Sequence, residues 1–498
     1  MPTLLMPVEL ELRTESQPVS RFTGRRVHFI GIGGCGMSGL ARMLLDAGAL
    51  VTGSDTKPSG VTRDLEERGV VISYTQVGSL LTADVDLVVR TAAIAETNTE
   101  YQAAKTMGLR QIKYAQLLGQ VMAERFGIAV CGTHGKSTTT AMISYALLHC
   151  GADPSFVIGG TVRQLGGGSR SGAGDAFVVE ACEYDRSFHN LRPRVAVMTN
   201  IEADHLDCYP GGIPEIVESF RMFAAKVPTD GLIVANADDS NVRKALAECR
   251  APVEWLRLDL GQREAARQTG GFIQDAGGPP VPRWVVRVTG VSMGCYSGDV
   301  LREGQTVAQL SLSVAGVHNL FNAAAAVAAC AAYGVDPRRA AEALGSFAGV
   351  DRRMTEVGRC NGATVVDDYG HHPTEIRTTL LALRERYRPL RLLCVFQPHQ
   401  HSRTRFLLED FAESFAHADQ TIVPDIYFVR DSEAERQRVS SADLVRKIRQ
   451  HGREALHLSG FGDIIAYLRE HARPGDLVVT MGAGNVWEIA RAVAGEPA

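Results

Sequence analysis

From Arg26 onward the chain repeats one pattern: a short apolar run, a turn rich in Gly, Thr or Asp, then a stretch of helical period. The first run, 27–30, leads into a G-x-G-x-x-G turn, Gly31-Ile32-Gly33-Gly34-Cys35-Gly36, and a helix is predicted over 37–47. A second run, 49–55, ends on Asp55, and a later one, 84–90, ends in the loop Thr91-Ala92-Ala93-Ile94. Runs at 128–131, 175–180 and 194–199 are apolar between their end residues, and the last two read as strands buried on both faces. An Ala-rich helix is predicted over 314–333, and further strands at 363–367, 390–396, 420–423 and 476–481. This alternation predicts an α/β fold with mostly parallel sheets. A stretch rich in Gly, Pro and Gln, 261–282, reads as a surface excursion.

Length adds a domain count. At 498 residues the chain exceeds one ordinary core, and about three domains of about 150 residues each are expected. The boundaries fall at an N-terminal extension 1–20, then 21–117, 118–345 and 346–498. The first 20 residues carry Glu9, Glu11 and Glu15 and do not read as a signal peptide. No run approaches the roughly 20 apolar residues that span a bilayer. The net charge of −4 gives no bulk attraction to nucleic acid or to acidic membranes, so any anionic ligand must be held by local groups. The ten cysteines lack C-x-x-C or zinc spacing, and several (Cys131, Cys330, Cys394) sit inside apolar runs. Free, buried thiols in a reducing cytoplasm are expected.

The most specific signal is Gly132-Thr133-His134-Gly135-Lys136-Ser137-Thr138-Thr139-Thr140, placed between the 128–131 strand and a helical pattern clear from Ala141. Strand, glycine loop and helix form the setting of a phosphate-binding loop. Lys136 would reach the β and γ phosphates, and the Ser137 hydroxyl would hold Mg²⁺. Two residues separate Gly132 from Gly135-Lys136, where the usual motif has four. A chance surface turn is the alternative, and the strand-to-helix context favours ATP.

Other constellations lie at strand ends. Glu180 closes one run, and Asn200-Ile201-Glu202-Ala203-Asp204-His205-Leu206-Asp207 follows the next. Glu180 and His205 read as ligands of a divalent metal beside the γ-phosphate, whereas Asp204 and Asp207 read as caps of a following helix. His318, Asn319 and Asn322 either cap their helix or bond a purine and ribose. Arg352 and Arg353, near the second boundary, are either solvated or able to swing onto phosphate. The segments 367–375 and 397–405 are too dense in ionisable and ring groups for packing alone. His399-x-His401 lacks the remaining ligands of a zinc set, so substrate contact is favoured there. Asp55, 19 residues past Gly36, stands near the acidic position that meets a ribose in dinucleotide folds.

Taken in order, HFIGIGGCGMSG at 28–39, GTHGKSTTT at 132–140, TNIEADHLD at 199–207, GVHNLFNAAAA at 316–326, DDYGHHPTE at 367–375 and TMGAGNVWE at 480–488 resemble the Mur ligases of peptidoglycan synthesis. The resemblance covers nearly all of 27–492. It implies an N-terminal Rossmann-like domain for a UDP-sugar, a central P-loop ATPase domain and a C-terminal Rossmann-like domain that closes over an amino acid. DDYGHHPTE points to the members that join L-alanine to the lactyl carboxylate of UDP-N-acetylmuramate, with ATP consumed through an acyl phosphate. By motif match, Ser137, Glu180 and His205 would hold two Mg²⁺ ions, and Lys136 would serve the phosphates. Gly132, Thr133, His134, Gly135, Thr138, His318, Asn319, Asn322, Arg352 and Asp368 would contact ATP. Gly33, Gly34, Cys35, Gly36, Asp55, Thr91, Ala92, Ala93 and Ile94 would cradle the UDP-sugar, and His372 and Arg403 would meet the amino acid. A cytoplasmic enzyme, monomeric or weakly dimeric, is implied.

Two segments depart from the family pattern. Cys182 and Tyr184 stand within Glu180-Ala181-Cys182-Glu183-Tyr184-Asp185, where E-A-D-E-S-D is common. Gln400 and His401 replace an arginine and a tyrosine in Q-P-H-R-Y-T/S-R-T. Serine or glycine therefore stands beside alanine as a candidate amino acid, and a ligase that recycles whole peptides onto the same sugar is a neighbouring reading. An NAD(P)-dependent oxidoreductase rests on the first glycine turn and Asp55 alone and leaves the phosphate loop without a use.

Overall fold

The structure is a computed structural model that describes residues 20–91, 93–261 and 280–495. Ala92, all but the last residue of the expected 1–20 extension, and most of the 261–282 excursion lie outside these residues. The chain divides into two compact units, Met1–Tyr114 and Ala115–Ala498.

In the first unit, β1 (Arg26–Ile30), β2 (Leu50–Ser54), β3 (Val71–Ser73), β4 (Leu87–Arg90) and β5 (Gln111–Lys113) form a parallel sheet of order β3-β2-β1-β4-β5. The order reverses between β1 and β4, so the loops after these two strands flank the topological switch point, where open α/β sheets bind ligands. The glycine turn follows β1 and the Thr91–Ile94 segment follows β4. β4 starts three residues later than its apolar run suggested; Asp84 and Asp86 instead meet Arg26 and Arg25 at the edge.

The second unit holds two sheets. The larger has order β15-β14-β13-β12-β11-β10-β6-β9-β7-β8, with β6 (Phe126–Cys131), β7 (Ser155–Val162), β8 (Gly167–Arg170), β9 (Ala176–Glu180), β10 (Val195–Met198), β11 (Leu232–Asn236), β12 (Val253–Asp259), β13 (Trp284–Ser292), β14 (Cys295–Arg302) and β15 (Gln305–Ala315). From β7 through β13 neighbouring strands are parallel, and the edges are antiparallel. β10 is buried along its whole length and β9 at all but Glu180, as the unbroken apolar runs required. The helices Lys136–His149 and Val317–Tyr333 contribute to one core on this sheet. The alanines at 323–326, 328 and 329 leave the second helix little side-chain bulk, and from Leu320 to Cys330 only Phe321 is not buried. That helix begins at Val317, because residues up to Ala315 extend β15.

The smaller sheet has order β16-β17-β21-β18-β19-β20: β16 (Thr355–Cys360), β17 (Ala363–Asp368), β18 (Leu392–Phe396), β19 (Gln420–Val423), β20 (Glu454–His457) and β21 (Leu477–Met481). All but the β16 pairing are parallel, and apolar clusters cover both faces. Among the described residues no helix is long and apolar enough to cross a membrane.

Leu320 is fully buried in the Ala-rich helix and faces the backbone of Gly298 in β14. Replacing it with Ala is expected to lower the stability of the second unit by about 2–5 kcal/mol. Urea unfolding followed by tryptophan fluorescence checks this; an unchanged midpoint would contradict the packing described.

Candidate active site

Three neighbouring strands deliver the central groups. β6 lies between β9 and β10, and the phosphate loop leaves its end, Glu180 closes β9, and His205 follows β10. The loop is short because the helix begins at Lys136, one residue past Gly135, rather than near Ala141. Gly132 has φ 138°, and a Cβ there would collide with the Thr199 hydroxyl; Gly135 has φ 81° and lies under the Asn322 amide. Both positions therefore require glycine. The loop is also tied to the end of β10. Thr133 N–H donates to the Asn200 carbonyl (3.0 Å), His134 N–H to Asn200 Oδ1 (2.7 Å), and Thr199 Oγ1 to the His134 carbonyl (2.6 Å). The N–H groups of Gly135, Lys136, Ser137 and Thr138 open a 14-residue helix, where intrahelical acceptors are lacking and the dipole is positive.

Lys136 Nζ donates to the carbonyls of Gly132 (2.6 Å) and Thr133 (2.9 Å) and to Glu183 Oε1 (2.9 Å). Burial alone would lower its pKa, but Glu183, Cys182 and Glu180 raise it above the ordinary lysine value, so the ammonium persists. Glu183 is 3% exposed, and its Oε2 is buried without a hydrogen-bond partner. His205 Nε2 lies 3.8 Å from Glu183 Oε1, and one oxygen of Glu180 accepts the Gly159 N–H at 2.7 Å. A hydroxyl, a carboxylate and an imidazole at adjacent strand ends, with an unpaired carboxylate oxygen beside them, fit a hard divalent cation such as Mg²⁺.

The C-terminal sheet of the same unit faces this edge. Arg403 donates to Asp204 through Nε (2.9 Å) and approaches it through Nη2 (2.8 Å), with both side chains at 7% exposure or less. It also contacts His399 Nδ1 (3.2 Å) and His205 Nδ1 (3.5 Å). Burial would raise the Asp204 pKa, yet Arg403 and His205 hold it well below the usual carboxylate range. The capping expected of Asp204 and Asp207 is therefore corrected: the next helix starts at Ile213 with Gly212 as its cap. A small cleft opens here, lined by Asp204, His205, Asp207, Gln400, Arg403 and Phe406 among others. Gln400 is 3% exposed, and its Nε2 has no hydrogen-bond partner.

His372 caps the helix Pro373–Tyr387 and reaches across to the Ala203 carbonyl (3.2 Å), so His372 and Arg403 meet consecutive residues of one loop. Glu375 faces His134 Nδ1 (3.5 Å), Arg353 (3.2 Å) and His371 (3.4 Å). Burial lowers the His371 and His399 pKa values to about 3 and about 4, leaving neutral rings beside the Arg403 charge. Burial likewise lowers His318 to about 4.

Other expected ATP contacts have protein partners. Asn319 Nδ2 donates to the Ala315 carbonyl (2.7 Å), and Asn322 Nδ2 to Asn319 Oδ1 (3.3 Å). Arg352 is held by Asp367 (2.9 Å) and the Gly482 carbonyl (2.9 Å). Asp368 accepts backbone N–H groups from Met354 (2.8 Å) and Gly370 (2.7 Å), and burial raises its pKa to about 6. Sequence reasoning assigned no site role to Glu183, Glu202, Glu375 or His371, and left His399 and Arg353 as general candidates for substrate and phosphate contact. All except Arg353 lie in the motif segments quoted above or in the hexapeptide beginning at Glu180, which was the available signal.

In the first unit, Gly33 N–H donates to Asp55 Oδ2 (2.8 Å), which fixes the glycine turn against the end of β2. Gly36 lies so close to Tyr114 that a Cβ would collide with its ring. Ala93 N–H donates to Thr91 Oγ1 (3.0 Å), and Arg90 closes the loop on the Ile94 carbonyl (2.9 Å). Beneath, the fully buried His28, Ser54 and Glu100 bond to one another.

These features define an α/β protein of the phosphate-loop type, with a charged pocket where its C-terminal sheet meets the loop edge. Residues 26–126 match the Mur ligase family catalytic domain, 130–330 the Mur ligase middle domain, and 352–484 the Mur ligase glutamate ligase domain. The chain belongs to the Mur ligase family. It is 42% identical over 466 residues, 93% of this chain and 96% of the relative, to the UDP-N-acetylmuramate–L-alanine ligase of Caldanaerobacter subterraneus subsp. tengcongensis. Identity to the ligase of the same name from Acetivibrio thermocellus is 41%, covering 93% and 94%. Among solved structures, the UDP-N-acetylmuramate–alanine ligase of Thermotoga maritima shares the fold, with TM-score 0.72 and 24% identity over 94% of this chain and 97% of that one. A murein peptide ligase from Psychrobacter arcticus matches with TM-score 0.66 and 27% identity over 95% and 100%.

Two outcomes follow from the loop geometry. Gly132→Ala forces a side chain into a left-handed, crowded position, and nucleotide affinity measured by calorimetry is expected to fall at least about tenfold; unchanged affinity would contradict the cradle. The second concerns His134. Burial alone would lower its pKa, but Glu202 and Glu375 raise it from 6.5 to about 10, while Glu202, against its own burial, is drawn from 4.5 to about 2. The imidazolium's contribution is full below 6.5 and lost as pH rises through 10; that of Glu202 is full above 4.5 and lost as pH falls through 2. The melting-temperature gap between wild type and His134→Gln should thus be widest near about pH 5.5 and narrow toward pH 10. A pH-independent gap would contradict the pairing.

Proposed function

We propose that this chain joins L-alanine to the lactyl carboxylate of UDP-N-acetylmuramate, with ATP converted to ADP and phosphate, in the cytoplasmic stage of peptidoglycan synthesis. The carrying observation is the meeting of a pinned phosphate loop with the Arg403–Asp204 pocket, in a chain about 40% identical to ligases of that name over nearly its whole length.

The lactyl carboxylate oxygen attacks the γ-phosphorus, and the bond to the ADP oxygen breaks. The alanine amine then attacks the acyl carbon, a proton leaves the nitrogen, and the tetrahedral intermediate expels phosphate. Carboxylate and triphosphate repel each other, so positive charge must be concentrated where they meet. Lys136, a buried ammonium, and the N–H groups of 135–138 supply part of it. Ser137, Glu180 and His205 would hold Mg²⁺, which adds further charge against the same oxygens. Arg403, already half-neutralised by Asp204, is positioned to receive an amino-acid carboxylate. His371, held neutral with its Nδ1–H on the Tyr369 carbonyl, keeps its Nε2 lone pair for the amine's N–H groups, whereas His399 Nδ1 accepts from Arg403. An acyl phosphate is lost to water, and the buried contacts across the loop edge limit its access. The glycine turn and the Thr91–Ile94 loop at the β1/β4 switch point suit the UDP moiety. Asn322, which lies beside Gly135, with His318 and Asn319 one turn before it, and Arg353, which shares Glu375 with His134, are candidates for the rest of ATP.

Gln400 sets the amino-acid preference as the main variable. Phosphate release from ATP with Mg²⁺ should require both UDP-N-acetylmuramate and L-alanine. Dependence on the sugar with serine, glycine or a tripeptide instead would keep the class and move the acceptor, and no sugar dependence would overturn the reading. Lys136→Ala should lower kcat by about 10²–10³ in the same assay; an undiminished kcat would exclude Lys136 from the chemistry.

A further inference from the structure

A second cluster of metal-binding atoms lies beside the loop, apart from Ser137, Glu180 and His205. His134 belongs to the phosphate loop, Glu202 to the segment after β10, and His372 to the cap of the helix Pro373–Tyr387. One ligand atom from each lies within 4.8 Å of the other two. Glu202 Oε2 is 3.4 Å from His134 Nε2 and 3.7 Å from His372 Nδ1. Donors about 2.0–2.2 Å from a tetrahedral zinc stand roughly 3.3–3.6 Å apart, so closure needs displacements of an ångström or less.

The surroundings are those of ligands. His372 Nε2 faces the Ala203 carbonyl at 3.2 Å and must carry the proton, which leaves the Nδ1 lone pair toward Glu202. That Nδ1 has only a long contact from Thr374 N–H, at 3.3 Å. His134 Nε2 is buried and faces Glu202 Oε2 at 3.4 Å, so a bound cation takes the place of the proton the ring shares with that carboxylate, while its Nδ1 faces the Glu375 carboxylate at 3.5 Å. Thr374 Oγ1 donates to Glu202 Oε2 at 2.6 Å. Each imidazole thus has its outer nitrogen on a carbonyl or carboxylate, the arrangement that orients metal-bound histidines, and the carboxylate has its own donor. The two rings lie 4.6 Å apart between centroids. Two imidazoles and one carboxylate select a zinc-class ion over Mg²⁺ and leave a fourth position for water or an anionic oxygen.

We propose that His134, Glu202 and His372 form a binding site for a zinc-class divalent cation, separate from the groups assigned to Mg²⁺. Occupied, it ties the phosphate loop to the start of the helix Pro373–Tyr387 through metal bonds.

The test is equilibrium dialysis of the full chain, without nucleotide, against Zn²⁺ in excess Mg²⁺, with bound metal counted by elemental analysis and Co²⁺ substituted for its visible spectrum. The expected result is one tightly held Zn²⁺ per chain, a four-coordinate Co²⁺ spectrum, and affinity at least about tenfold weaker in Glu202→Gln and in His372→Asn. Glu180→Gln should keep the ion, since it alters only the Mg²⁺ set. Wild-type protein that retains no Zn²⁺ overturns the proposal without reference to any variant. Retention that Glu180→Gln abolishes and Glu202→Gln leaves intact also overturns it, by placing the ion in the other set. Circular dichroism identifies a variant that fails to fold, in which case the other one decides.

Discussion

The buried ion pair between Arg403 and Asp204 is the contact on which the rest of the site depends. Both side chains are almost wholly withdrawn from water, so the pair gains little net stability over an apolar contact of the same shape. What it fixes is position. Asp204 stands in the loop after β10, Arg403 in the short helix His401–Phe406, and 199 residues separate them. Any other registry of the C-terminal sheet would leave a charge buried without a partner, a cost of several kcal/mol. With that pair made, His399, His371 and Gln400 are carried to the edge where the phosphate loop ends.

The loop itself is rigid for a related reason. Its backbone is bonded to Thr199 and Asn200, residues of the same segment that carries Asp204 and His205. One stretch, 199–207, therefore anchors the loop on one side and the Arg403 pocket on the other. This economy suits a two-step transfer in which a phosphoryl group meets an oxygen, and an amine then the carbon, of one carboxylate. Lys136, Glu183 and Glu180 complete the charge pattern, with a buried carboxylate facing the ammonium.

Much of the fold was legible because β9, β10, β18 and β21 are unbroken apolar runs, and a parallel sheet covered on both faces demands them. The phosphate loop was legible because its residues are consecutive. The partnerships were not. Nothing local distinguishes Asp204, which pairs with Arg403, from Asp207, and nothing in 180–185 marks Glu183 as the partner of Lys136. Arg352 and Arg353 are adjacent, yet one turns to Asp367 and the other to Glu375. Such choices are made by contacts between residues 15 to 199 positions apart, and helix starts shifted for similarly non-local reasons, as where β15 claims the first residues of the Ala-rich run.

The central claim, an acyl phosphate formed on the sugar's carboxylate, is open to a direct isotope measurement. UDP-N-acetylmuramate carrying ¹⁸O in its lactyl carboxylate would be turned over with ATP and alanine, and the released phosphate analysed by mass spectrometry. The account predicts that each phosphate carries one oxygen from the carboxylate, because that oxygen bonds to phosphorus in the first step and leaves with it in the second. Phosphate free of the label, formed alongside the amide product, would contradict it.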